Sequence, residues 1–181
     1  MGQQPDEDRA ADHGDFAYTV LDLVVMGRTA SLGAFATPGK ADLDIAMQAL
    51  DALGIAALAP RDSTRISGGQ RQLALIARAL AQRTGVVVMD EPTASLDLGN
   101  RLRVLDRIRG LAGDGLAVLV STHEPEQAFA VADRVAVLGP DNHFETGPVD
   151  AVLTPAQLTR LYGVALTVER TPSGRRIVSP G

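Results

Sequence analysis

I-S-G-G-Q at Ile66–Gln70, V-V-V-M-D-E-P at Val86–Pro92, A-S-L-D at Ala94–Asp97 and S-T-H at Ser121–His123 follow one another within 58 residues of the chain. The four valine and methionine residues of the second motif form a continuous apolar run of strand length, which is typical of a strand covered on both faces in a parallel sheet. Two carboxylates follow that run directly. Ligand groups collect at the carboxyl ends of parallel strands, so this stretch predicts both a fold and a site.

Outward from Val86–Met89, apolar runs alternate with helical patterns. A predicted helix at Asn100–Ala112 leads to a second run at Leu116–Val120, and a helix at Pro125–Ala132 leads to a third at Val135–Leu138. Strand, helix, strand, helix, strand predicts an α/β fold with parallel strands and right-handed crossovers.

The flanks of this core have a different character. The upstream part predicts helices at Thr19–Arg28, at Ala41–Leu53 and from Ser67 onward, and the downstream part predicts a strand at Phe144–Thr146, a helix at Pro155–Tyr162 and a hairpin of Ala165–Glu169 with Arg175–Val178. We therefore predict four segments: irregular residues 1–15, a helical subdomain at 16–82, a partial catalytic core at 83–164 and a C-terminal hairpin and tail at 165–181.

Composition excludes several classes of protein. The 181 residues carry a net charge of −5, so no excess of basic residues invites nucleic acid. The chain has no cysteine, which excludes disulfides and thiolate metal sites. No apolar run approaches the roughly 20 residues that span a membrane, and Met1–Asp15 is acidic without the apolar region of a signal peptide. These features predict a cytoplasmic protein.

The S-G-G-Q motif has a structural and a functional interpretation. Ser67 and Gln70 have the spacing of a capping box, in which each side chain bonds the other residue's backbone N–H at a helix N-terminus. Gly68 and Gly69 also leave backbone N–H groups open to an anion such as phosphate. The two interpretations are compatible.

The remaining polar residues also allow two interpretations. Asp90 and Glu91 are either solvated carboxylates at a strand end, with the Asp as a cap, or they serve a magnesium ion and polarise a water molecule. His123, which follows the next strand end, is either structural or a member of the same site. Asp97 is either part of that site or simply the N-cap of the next helix.

Taken together, the motifs resemble those of the ATP-binding-cassette (ABC) ATPases. Ile66–Gln70 is similar to the family signature, with Ile in place of the usual Leu, and Val86–Pro92 is similar to the Walker B motif with its catalytic glutamate. Ala94–Asp97 resembles the D-loop and His123 the switch histidine. The resemblance covers residue 16 to about residue 164. It implies the C-terminal part of an ABC-type P-loop NTPase domain, namely the helical subdomain and half of the parallel-sheet core.

Two flanking segments resemble one branch of that family. Val20–Arg28 and Leu153–Val164 are similar to the subfamily that powers importers of metal chelates: iron siderophores, haem, vitamin B12 or molybdate. S-T-H-E-P-E-Q at Ser121–Gln127 favours the molybdate type.

The resemblance also implies cofactors and partners. The cofactors are ATP and Mg²⁺, with Asp90 serving the metal, Glu91 orienting the attacking water and His123 contacting the γ-phosphate. A second cassette would pair with this one about a two-fold axis, and membrane permease subunits would hold the pair at the inner face of the cell membrane. Ser67, Gly68 and Gly69 would contact the γ-phosphate bound to that second cassette. Gln70 and Asp97 would line the seam between the two cassettes.

The P-loop of the family is missing from the sequence. A phosphate-binding P-loop reads G-x-x-x-x-G-K-[ST], and Lys40, the only lysine, lies in T-P-G-K-A-D. We therefore expect a cassette truncated at its N-terminus, without Walker A and with little or no ATPase activity alone. In this family the Walker A strand lies between the strands predicted at Leu116–Val120 and Val135–Leu138. Those two strands are expected either to pair directly or to remain apart.

Three functions follow as alternatives: an ATP-hydrolysing importer subunit recorded as a fragment, a non-catalytic cassette remnant, or a cassette of a soluble ABC protein that works on DNA or translation. The net charge of −5 and the Val20–Arg28 segment argue against the third.

Overall fold

A computed structural model of the chain describes residues 18–32, 36–140 and 142–181. The chain separates into two units, Met1–Gln82 and Arg83–Gly181. The irregular segment predicted at residues 1–15 lies outside the described residues, and the four predicted segments remain a prediction.

The first unit is helical, as predicted. Its elements are α1 (Val20–Val25), a 3-10 helix (Met26–Ser31), α2 (Lys40–Ala52), a short 3-10 helix (Ala56–Leu58) and α3 (Gly68–Leu80). A capping box between Thr19 and Asp22 starts α1. The three α-helices pack on one another, and Val20, Val24 and Leu50 are fully buried between them. The predicted single helix at Thr19–Arg28 is therefore two shorter elements.

Gly27 explains how closely the 3-10 helix approaches α3. A Cβ atom at this position would lie 2.1 Å from the backbone oxygen of Arg78. Next to it, Arg28 donates from Nε to Asp42 Oδ1 at 3.0 Å and from Nη1 to the carbonyl oxygen of Ala81 at 2.9 Å. Backbone cannot yield as a flexible side chain can, so only glycine fits here.

We expect Gly27→Ala to destabilise the chain by about 1–3 kcal/mol, because the added methyl group forces backbone apart in a packed interior. Urea unfolding followed by circular dichroism measures the change. Gly110→Ala is the matched control: it lies within a helix with open space around it, so it should stabilise by about 0.5–1 kcal/mol. Equal effects of the two substitutions would contradict the role given to Gly27.

The second unit mixes strands and helices, as the α/β prediction requires. In chain order it contains β1 (Val86–Asp90), α4 (Leu98–Gly113), β2 (Ala117–Ser121), α5 (Pro125–Val131), β3 (Arg134–Leu138), β4 (Phe144–Pro148), α6 (Val149–Val152), α7 (Pro155–Tyr162), β5 (Leu166–Arg170) and β6 (Arg176–Pro180). The predicted terminal hairpin is confirmed as β5 and β6, which pair antiparallel. The four-residue helix α6 is absent from the sequence prediction.

The strands form three two-stranded sheets rather than one. β1 and β2 pair in parallel, as predicted, with α4 as the crossover. β3 forms an antiparallel hairpin with β4, which contains the strand predicted at Phe144–Thr146. The two strands of that hairpin are joined by a short turn, so closing it costs little chain entropy. Among the described residues β2 and β3 do not pair, which is the second of the two expected outcomes.

Burial of β1 and β2 also departs from the prediction. Val87 and Met89 are buried, whereas Val86 and Val88 on the opposite face are 54% and 69% exposed. In β2, Leu119 is 61% exposed, and the register places it beside Val88. The apolar run therefore has one covered face, because none of the elements described here packs on the other. We call Val86, Val88 and Leu119 the open face.

The C-terminal half of the second unit has its own core. Val137, Val152, Leu153 and Leu158 are buried together, and side chains of α5, β5 and β6 pack around them. Leu158 anchors α7, which begins at Pro155 after the Thr154 cap and ends before Gly163 in the left-handed conformation, with φ 71°. In the part of the chain that the structure describes, no helix is both long enough and apolar enough to cross a membrane.

Candidate functional site

Four polar side chains meet where β1 and β2 end. The parallel register sets Asp90 opposite Ser121. The Ser121 hydroxyl donates a short hydrogen bond to Asp90 Oδ1 and accepts one from the Glu91 backbone N–H at 3.0 Å. Ser121 therefore links the two adjacent acidic residues. We call Asp90, Glu91, Ser121 and His123 the carboxylate cluster.

Glu91 and His123 complete this cluster. His123 Nδ1 lies 2.8 Å from Glu91 Oε1. The sequence places His123 near Asp90 because neighbouring strand ends meet; the structure brings it to that edge, with Glu91 as its ring partner. Glu91 has φ +41°, a conformation that costs a non-glycine residue about 1–3 kcal/mol and that clusters at functional sites.

The pairing with Glu91 changes the titration of His123. The hydrogen bond to the Glu91 carboxylate, followed by its negative charge, raises the pKa of His123 above its ordinary 6.5. Because the folded-state pKa is raised, the pairing stabilises fully below pH 6.5 and its contribution is lost as the pH rises through the raised pKa.

A second group of hydrogen bonds holds the loops that carry this cluster. Buried Thr93 donates to Gln127 Oε1 at 2.7 Å, and Thr122 donates to the same oxygen at 3.3 Å. Gln127 thus joins the loop after β1 to the loop after β2. Arg101 Nη1 lies 2.7 Å from Glu124 Oε2, next to His123.

Asp97 lies at the start of α4 and caps it. Its side chain accepts from the Asn100 backbone N–H at 2.9 Å and from the Asn100 side chain at 2.6 Å. These two hydrogen bonds lower the pKa of Asp97. The capping role predicted from the sequence is confirmed, and it leaves a further role at a dimer seam open.

The S-G-G-Q motif lies in the first unit. Ser67 Oγ accepts from the Gln70 N–H at 3.3 Å, and Gln70 Oε1 accepts from the Ser67 N–H at 3.0 Å. The predicted capping box is therefore confirmed, and α3 begins at Gly68. Gly68 is exposed and Gly69 buried. The structure places these residues at a helix N-terminus, where backbone N–H groups and the helix dipole favour an anion.

Sequence reasoning missed two residues at the cluster. Ser121 has no predicted role beyond its place in S-T-H, although a hydroxyl at a strand end beside D-E is a recognisable signal. Tyr162, the last residue of α7, donates its hydroxyl to the backbone oxygen of His123 at 2.6 Å. These two residues are 39 positions apart, and no local pattern connects them.

Known proteins resemble this chain over most of its length. It is 45% identical over 147 residues to an ABC transporter ATP-binding protein of Haemophilus influenzae whose role is uncharacterised, covering 81% of this chain and 56% of that one. It is also 45% identical over 148 residues to the molybdate import ATP-binding protein MolC of the same organism, covering 81% and 58%. The chain thus spans somewhat over half the length of these relatives.

A solved structure agrees in fold as well as in sequence. It is described as an inward-facing conformation of a transporter of the metal-chelate ABC type, and it superposes with a TM-score of 0.85 at 38% identity. The match covers 92% of this chain and 68% of that one. The family model described as ABC transporter matches residues 5–94, which include the S-G-G-Q and D-E-P motifs. On the strength of this agreement in motifs, sequence and fold, the chain belongs to the ABC transporter family.

Proposed function

We propose that this chain supplies the water-activating and signature-bearing part of an ATP-binding cassette that powers the import of a metal chelate. The observation that carries the proposal is the carboxylate cluster. Two adjacent carboxylates stand at the end of β1, bridged by Ser121 and completed by His123. Phosphoryl transfer depends on positioning and charge stabilisation, and this arrangement holds both carboxylates in defined places.

Asp90 suits a magnesium ion bound with ATP. It lies exposed at the end of β1, and Ser121 occupies only its Oδ1 with a hydrogen bond. Mg²⁺ usually keeps several waters and takes one or two carboxylates together with phosphate oxygens, so a single Asp acting through water fits its preferences. Mg²⁺ bound in this way would neutralise charge on the phosphates.

Glu91 and His123 take the other two roles. With Asp90 committed to the metal, Glu91 is the carboxylate placed to orient and polarise a water molecule. Its Oε1 already contacts His123 at 2.8 Å, which leaves the carboxylate's second oxygen for the water. The raised pKa of His123 favours the protonated imidazole, which suits contact with a γ-phosphate.

The signature residues are proposed to act on a partner's nucleotide. Ser67, Gly68 and Gly69 would contact the γ-phosphate bound to a second cassette, and Gln70 and Asp97 would line the seam between the two cassettes. The exposed helix N-terminus at Gly68 supports this, because it offers N–H groups to an anion. Permease subunits would hold the pair at the cytoplasmic side of the membrane.

The transported solute is proposed from two relatives. The molybdate import protein and the metal-chelate transporter are 45% and 38% identical to this chain. The first is named for molybdate import and the second for the metal-chelate type of transporter, so we propose a metal chelate or oxyanion of the molybdate type.

A second candidate function is a non-catalytic cassette. One observation favours it: these 181 residues contain no G-x-x-x-x-G-K-[ST] motif, and their single lysine lies outside any glycine-rich loop. Such a chain would at most pair with intact cassettes through its signature helix.

A chimera separates the two candidates. Residues 16–164 of this chain would replace the aligned segment of the molybdate import protein of H. influenzae, whose remaining sequence would supply the rest of the cassette. Magnesium-dependent ATP hydrolysis well above a chimera that carries Asp90→Ala supports the catalytic proposal. A folded chimera that binds ATP and forms dimers but hydrolyses nothing supports the non-catalytic alternative.

For the chain alone we expect no tight binding of ATP, because the lysine and glycine-rich loop that cradle the β- and γ-phosphates are not in its sequence. Isothermal titration calorimetry with Mg-ATP measures this, with the chimera as the positive control. A dissociation constant in the micromolar range for the chain alone would contradict the prediction.

A further inference from the structure

We propose that Tyr162 is a positioning residue for His123: its hydroxyl holds the loop after β2 so that the imidazole meets Glu91. The Tyr162 hydroxyl donates to the His123 carbonyl oxygen at 2.6 Å, and His123 Nδ1 lies 2.8 Å from Glu91. What His123 does for catalysis rests on the proposed function, but the positioning itself does not.

Hydrogen bonds hold the loop between β2 and α5, and residues 121 to 124 each make at least one of them. Ser121 hydrogen-bonds with the Asp90 side chain and the Glu91 N–H, and Thr122 donates a hydrogen bond to Gln127. Glu124 is tied to Arg101. Among the described residues, the backbone of His123 is held by the hydrogen bond that its carbonyl oxygen accepts from Tyr162. The imidazole is 68% exposed, so little packing holds it and its position depends on its backbone.

α7 is a rigid support for this contact. Leu158 of α7 is fully buried in the C-terminal core, with Val137 and Val152 around it. Thr154 caps the start of the helix, and Gly163 ends it one residue after Tyr162. The Tyr162 side chain therefore extends from a fixed backbone, and its partial burial raises the pKa of its hydroxyl, which keeps it a donor at neutral pH.

The contact also gives a role to a stretch that the catalytic proposal leaves unused. The stretch Leu153–Val164 lies outside the residues matched by the family model. Its sequence is L-T-P-A-Q-L-T-R-L-Y-G-V. Through Tyr162 it reaches the backbone of the switch histidine. A movement of α7 would therefore shift His123 relative to Glu91.

The experiment is a histidine titration by NMR on the chain as it exists. Glu91, Glu124 and Arg101 are the charged groups that act on His123, and Glu91 raises its pKa above 6.5. In Tyr162→Phe the ring stays but the donor is lost, so the loop relaxes. We expect the titration midpoint of His123 to fall towards 6.5, together with a change in its ring nitrogen chemical shifts at fixed pH.

His143 is an internal control for the integrity of α7. Its Nε2 lies 2.8 Å from the side-chain nitrogen of Gln157 on the same helix. If Tyr162→Phe merely loosened α7, the His143 resonance would move as well. Tyr18→Phe, in the first unit, removes the chain's other tyrosine hydroxyl and should move neither resonance.

The outcomes separate cleanly. A shift confined to His123 in Tyr162→Phe supports the positioning role. An unchanged His123 titration, or equal shifts of His123 and His143, overturns it. In the chimera, the same substitution should lower kcat and leave KM almost unchanged. If the chimera proves inactive the proposed function fails, whereas the titration still decides the role of Tyr162.

Discussion

Glu91→Gln abolishes ATP turnover in the chimera while ATP binding is retained: this is the largest effect we expect. General base catalysis by a positioned side chain contributes about 10²–10⁴-fold, and a neutral amide loses that ability. Gln has nearly the same shape, so its side-chain oxygen can still accept from His123 and the strained backbone at φ +41° can persist. Binding should therefore survive, since it depends on other groups.

Steady-state hydrolysis and equilibrium nucleotide binding, measured on the same preparations, check this prediction. Glu145→Gln is the matched control. It removes one carboxylate from the second unit, on β4, outside the carboxylate cluster. Normal turnover by Glu91→Gln would show that another group orients the water, and equal losses from both substitutions would point to a general effect of charge.

The second large effect concerns the open face. Val86, Val88 and Leu119 present apolar side chains on one side of β1 and β2, and contiguous exposed apolar surface commonly marks an interaction site. Fully burying a valine or leucine side chain is worth about 1.5–3 kcal/mol. Covering three of them is therefore comparable with the about 5–15 kcal/mol that stabilises a whole domain.

We expect the double variant Val88→Thr, Leu119→Thr to leave the stability of the chain alone almost unchanged and to destabilise the chimera. In the chain alone both positions are exposed, so the free energy of unfolding should change by no more than about 0.5 kcal/mol. In the chimera, where the added sequence is expected to cover this face, each buried hydroxyl without a partner costs about 1–3 kcal/mol, so the loss should be about 2–6 kcal/mol. Chemical denaturation of both proteins measures the difference.

Val104→Thr is the control for that comparison. Val104 is fully buried in α4, so its substitution should cost about 1–3 kcal/mol in the chain and in the chimera alike. If the double variant costs the same in both proteins, the open face is not covered in the longer cassette. Hydrogen exchange gives a second measure: β1 and β2 amides should exchange much more slowly in the chimera than in the chain alone.

Much of the local structure follows from the sequence. The capping box at Ser67 and Gln70 and the cap at Asp97 are confirmed, because a cap is made between residues three apart. The helix predicted at Pro155–Tyr162 has the same bounds in the structure. The parallel pairing of β1 with β2 is confirmed as well, since a strand, a helix and a second strand leave few arrangements.

The arrangement of the sheets was decided at longer range. The apolar run at Val86–Met89 predicts coverage on both faces, yet an alternating pattern of burial leaves Val86 and Val88 exposed. The pattern in the sequence records which side chains prefer to be buried. It does not say which segment supplies the cover, because the covering element is not encoded in the strand itself.

The candidate site also depends partly on the sequence alone and partly on the tertiary structure. The sequence by itself determined which chemistry is present: adjacent carboxylates at a strand end, a histidine after the next strand and a glycine pair at a helix start. Only the tertiary structure decided which residues hold these groups in place. Ser121 bridges Asp90 and the Glu91 N–H, Tyr162 reaches the His123 carbonyl, and Gly27 lets the 3-10 helix touch α3. Each of these contacts joins residues between 30 and 51 positions apart, and such contacts exist only once the chain has folded.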